Sequence, residues 1–160
     1  MANPIIETCR SEFERMFTRV KKFIEVCPDD LWVGKAGGFY VWQQVYHTLA
    51  HFEFFSRREN EAPHPLPFPM PVIMFESAVV PFAPSKTEML VFAEEMASRA
   101  RAYMDNLSPY EIFAPNPAFS AIVERPVNHL VGLIKFTAHT AYHLGCCDAL
   151  LRERGLPGVY

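Results

Sequence analysis

The chain has 160 residues, 50% of them hydrophobic and 21% charged, which is about one domain's worth and excludes a disordered polypeptide. Lys plus Arg number 15 against 18 Asp plus Glu, a net charge of -3, so nothing favours binding to a phosphate backbone and no nucleic-acid partner is expected. No apolar run reaches the roughly 18 residues of a membrane span, and neither a signal peptide nor a disulfide framework is legible in MANPIIETCRSEF or in Cys9, Cys27, Cys146 and Cys147. A cytoplasmic, reduced location without membrane contact is expected.

Proline lacks the amide hydrogen that a helix interior needs, so its distribution marks helix limits. Of 14 prolines, seven fall between Pro63 and Pro84, and the stretches 5–27, 29–62, 85–108 and 127–156 have none. Four proline-free segments predict four helices. In the first, Asn3 is a helix cap with Pro4 in the first turn, and Cys9, Phe13, Met16, Val20, Phe23 and Cys27 recur at spacings of four and three. The second is expected from about Phe39 to Arg58, with Val41, Val45, Leu49, Phe52 and Phe55 as its apolar stripe. The third opens on Ser85-Lys-Thr-Glu88, a capping box, followed by Met89, Phe92, Met96, Ala100, Tyr103 and Leu107. The fourth is expected from Pro126, with a stripe of Val127, Leu130, Ile134, Ala138, Ala141, Leu144 and Leu151, ending at Gly155.

Only Val72–Phe75 and Ala78–Val80, inside the connection between the second and third helices, read as strand-like. The expected fold is therefore all-α, a four-helix bundle over residues 1–160. The second connection, of about 25 residues, is long enough to cross the bundle.

Five of the six histidines lie on predicted helices, and two HxxxH pairs stand out: His47 with His51, and His139 with His143. Spacing i,i+4 puts both imidazoles of a pair on one helix face, about 5–6 Å apart at Cβ, where they can converge on one cation. The second residue of each pair's motif is Thr48 or Thr140 rather than the Glu of a metalloprotease HExxH. His129, ten residues before His139, and His64, in the proline-rich connection, read as structural or surface residues. Gln43, one turn before His47, is placed to orient a substrate or to stand behind a ligand.

In VWQQVYHTLAHFEFF and HTAYHLGCCDALLRERGLP the chain resembles the DinB/YfiT-like superfamily of four-helix-bundle metal proteins, a family distinct from the translesion polymerase that shares the name. The resemblance spans nearly the whole chain. It implies a metal site of one histidine from the second helix and an HxxxH from the fourth, which match His47, His139 and His143, with His51 the rival to His47. It also implies a long link between the second and third helices, a homodimer, and activities that include thiol-dependent transfer and hydrolysis. One departure is visible: where many members have HHRG, this chain has Tyr142-His143-Leu144-Gly145.

One divalent transition metal is expected: imidazole-rich sites suit zinc, nickel, copper and iron, which leaves its identity open, with zinc or nickel favoured. The expected partners are a small-molecule substrate, with a low-molecular-weight thiol as co-substrate, and a second copy of the chain. A non-catalytic metal-binding module is the alternative. A binder of a hydrophobic small molecule, with PHPLPFPMPVIMF as its cover, is a third reading.

Overall fold

The structure, a computed structural model, describes residues 3–77 and 82–160. Among them are seven helices and one two-residue hairpin: α1 (Pro4–Val26), α2 (Asp29–Trp32), β1 (Lys35–Ala36), β2 (Phe39–Tyr40), α3 (Val41–Ser56), α4 (Met70–Ile73), α5 (Lys86–Asn106), α6 (Pro117–Val123) and α7 (His129–Glu153). The chain is predominantly helical, as the proline spacing predicts. The strand-like run Ala78–Val80 lies outside the described residues, and the one at Val72–Phe75 is instead the end of a helical turn.

Local chemistry sets the helix limits. The Asn3 side chain accepts hydrogen bonds from the Ile5 and Ile6 amides. Ser85 and Glu88 form the reciprocal capping box of α5, satisfying donors that the first turn leaves free. The fourth long helix begins at His129 rather than at Pro126, because Val127 is held in an extended segment by the Asn116 amide and Asn128 then caps the Val131 amide. The short helix α6, between α5 and α7, is additional to the four expected segments. Its signal is Asn116-Pro117, a cap followed by a first-turn proline.

The four long helices pack around one aromatic centre, α1 against α5 and α7, and α3 against the same two. Phe13, Phe52 and Phe136, from three of them, meet edge to face at 5.2 to 5.7 Å, a favoured arrangement for aromatic rings. Tyr46 near the start of α3 stacks on Phe92 near the start of α5. Beyond the other end of α3, Arg58 donates to the Asn106 carbonyl. The Trp32 indole donates to the Pro84 carbonyl and pins the approach to α5.

The expected stripes of α1, α3 and α5 are buried, save half-buried Cys9. The α7 stripe needs correcting. Its inward face is Leu133, Phe136, Thr140, Leu144, Cys147 and Leu151, while Ile134 and Ala138 are exposed. The helix is apolar nearly all round, so spacing alone does not fix its rotation.

Candidate metal centre

Two helices bring the histidines together. In α3, His47 and His51 stand one turn apart, and in α7, His139 and His143 do the same on the facing side. The four rings form a tight group, with centroids 4.0 Å apart for His47–His51, 4.8 Å for His47–His139, 4.4 Å for His47–His143, 4.5 Å for His51–His139 and 4.7 Å for His139–His143. His47, His51 and His139 each present one ring nitrogen such that all three lie within 4.8 Å of one another. His143, expected as a ligand from the sequence, lies outside that trio but keeps ring contact with two of its members. His51 stands beside His47, the two rings 4.0 Å apart.

Hydrogen bonds assign the free nitrogens. His47 Nδ1–H donates to the Ile73 carbonyl at 2.6 Å, and His51 Nδ1–H donates to the His47 carbonyl at 2.7 Å. Each neutral ring therefore carries its lone pair on Nε2, the atom free to ligate. His47 Nε2 meets His139 Nε2 at 3.0 Å. The Nδ1 atoms of His139 and His143 are buried without a hydrogen-bond partner among the described residues, an unusual state for buried polar atoms.

The environment keeps the rings neutral. Burial pulls His47 and His143 down to about 4 and His51 to about 3. His139 is also lowered, first by burial and then by its neighbouring imidazoles and Lys135. Neutral imidazoles are what a cation needs, since a protonated ring has no lone pair for it.

A divalent transition ion fits this donor set. In a tetrahedral site two nitrogens each roughly 2.0–2.1 Å from the ion lie about 3.4 Å apart. The trio, within 4.8 Å of one another, needs to close by up to about 1.5 Å, a matter of side-chain rotation. His47, His51 and His139 would hold the ion, with His143 in contact with two of the three rings. When bound there, the ion would supply undiminished positive charge and Lewis acidity, lowering the pKa of a coordinated water or thiol.

The surroundings are mostly apolar. Phe75 stacks on His47 at 4.3 Å and contacts His143 at 5.8 Å, and Phe55 meets His139 edge-on at 5.4 Å. Phe75 holds a left-handed backbone, φ 62°. Among the described residues no carboxylate hydrogen-bonds to these four rings. Buried Glu53 binds Arg57 and the His64 amide, and buried Asp148 binds Arg152 and the Val159 amide. The remaining histidines are structural: His129 pairs with the Tyr103 hydroxyl, and His64 with Glu95.

In comparisons with protein-family models, with curated proteins and with solved structures, nothing matches this chain.

Proposed function

We propose that this chain is a single-domain, DinB/YfiT-like four-helix-bundle protein that binds one divalent transition metal of the kinds imidazole suits, with zinc or nickel favoured, and uses it on a small-molecule substrate. The observation that carries the reading is the convergence of His47, His51 and His139 from two facing helices within 4.8 Å. The bundle reading, with residues 57–85 crossing between the second and third long helices, is supported by the paired ends of α3 and α5, Tyr46 on Phe92 and Arg58 on Asn106. His47 and His139 belong both to the triad that the resemblance implies and to the close-set trio, so they are the centre of the assignment.

Transfer of a low-molecular-weight thiol is the preferred reaction. Hydrolysis commonly recruits a carboxylate base, and the nearest candidates in sequence, Glu53 and Asp148, are engaged elsewhere. A thiol needs no such base, because a metal lowers its pKa directly. The crowding of a fourth ring, His143, against His47 and His139 favours the second reading, a non-catalytic module whose ligand set is closed. The unpaired thiols Cys9, Cys27, Cys146 and Cys147 agree with a reducing cytoplasm. No helix among the described residues is long and apolar enough to cross a membrane. A homodimer belongs to the same proposal, supported by the exposed apolar residues Ile134 and Tyr142 on α7 and Met70 and Met74 in the connection.

Metal analysis of untagged protein tests the reading. About one equivalent of metal is expected, lost in His47→Ala and His139→Ala. A metal-free wild type that takes up no zinc or nickel on titration would refute it. Electrophiles and activated esters, each with and without cellular thiols, then separate the reactions. Thiol-independent ester turnover indicates hydrolysis, and no turnover in either arm indicates the non-catalytic module.

A further inference from the structure

Gln43 and His47 occupy the same face of α3, one turn apart, and both reach into the segment 70–77. Gln43 is buried, and its amide nitrogen donates one hydrogen to the Val72 carbonyl at 2.9 Å and the other to the Ser77 carbonyl at 2.8 Å. These two acceptors use both donors of the amide and fix its orientation, since the reverse placement would set its oxygen against carbonyls. Between them lie the two residues of the segment that touch His47. Ile73 offers the carbonyl that accepts from His47 Nδ1, and Phe75 lays its ring on the imidazole. The segment closes on itself through the Glu76 and Ser77 amides, which both donate to the Pro71 carbonyl at 2.9 Å. A four-residue helix such as α4 has no stability of its own, so its position depends on what holds it.

We propose that Gln43 is a positioning residue for the metal centre: by clamping the turn 70–77 at both sides it keeps the Ile73 carbonyl where it fixes the His47 proton on Nδ1 and leaves Nε2 free to ligate. This rests on the metal-centre reading. It makes part of the long connection a component of the site, because the Ile73 carbonyl plays the outer partner that ligating histidines generally have. Coupling of this kind is reciprocal. An ion on Nε2 holds the His47 ring and thereby the turn, just as the clamped turn strengthens the hold on the ion.

The test uses the full chain, zinc as the probe, and two readouts: zinc affinity by competition with a chelating dye, and amide hydrogen exchange over residues 72–77 with and without zinc. Gln43→Glu keeps the length but replaces both donors with acceptors, and Gln43→Leu removes the polar group. Both are expected to weaken zinc binding roughly 10–100-fold, the usual effect of losing an outer partner, while retaining the helical circular-dichroism signal. In the wild type zinc should slow exchange over 72–77, and in Gln43→Glu that slowing should vanish. Wild-type affinity in both variants overturns the proposal. So does zinc-independent exchange in the zinc-bound wild type, a measurement that stands even where a variant fails to fold. No zinc binding by the wild type overturns the metal-centre reading itself.

Discussion

Gly132 of α7 packs directly on the backbone of α3 at Phe55: a Cβ at this position would lie 2.9 Å from the Phe55 carbonyl oxygen. That approach sets the spacing of the two histidine-bearing helices about two turns from His139. Gly132→Ala forces backbone apart from backbone and is expected to cost about 1–3 kcal/mol, as overpacking does. Urea denaturation with an unchanged midpoint would contradict it.

His51 and His143 are separable by single substitutions. His51 belongs to the trio within 4.8 Å and His143 does not, so His51→Ala should lower zinc affinity by more than the roughly 10–100-fold typical of outer partners. His143→Ala should have the smaller effect. The reverse order would restore the ligand set His47, His139 and His143 that the family resemblance implies.

Acid should destabilise the metal-free protein. The rings of His47 and His143 are held down to about 4 and His51 to about 3 by burial, whereas in the unfolded chain histidine titrates near ~6.5. Below that value the unfolded state binds protons that the folded state does not, so stability is full above about 6.5 and lost progressively towards about 4. Bound metal should be released over the same interval, because protons compete for the ligands. Thermal melts at stepped pH check the first expectation. A melting temperature that stays flat from pH 7 to 5 contradicts it.

Glu53 is fully buried and accepts from Arg57 and from the His64 amide. Glu53→Ala leaves a guanidinium and an amide without their acceptor. The expected loss is about 3 kcal/mol, the low end for a broken buried pair, since Arg57 keeps partial access to water. Zinc affinity of the folded fraction should change little, which separates this variant from those at Gln43.

Helix limits that rest on local chemistry were legible from sequence. Asn3 with Pro4 and Ser85 with Glu88 cap the helices they were expected to cap, and Gly155 takes the left-handed backbone, φ 71°, of a residue just past a helix end. The inward face of α7 was not legible, because a helix apolar on all sides has no phase to read. For the site, spacing paired His47 with His51 and His139 with His143. Which three nitrogens lie closest depends on the rotation of α7 and its distance from α3, and so on contacts such as Gly132 with Phe55. The Ile73 carbonyl was illegible for another reason: a backbone acceptor leaves no mark in side-chain identity.

The left-handed backbone at Phe75 costs a side-chain-bearing residue on the order of 1–2 kcal/mol that glycine escapes. Glycine at this position would relieve that cost but remove a ring packed on Phe39, His47 and His143. Backbone strain is thus accepted at the one residue of the turn that covers the imidazoles. Phe75→Gly is expected to release bound zinc faster.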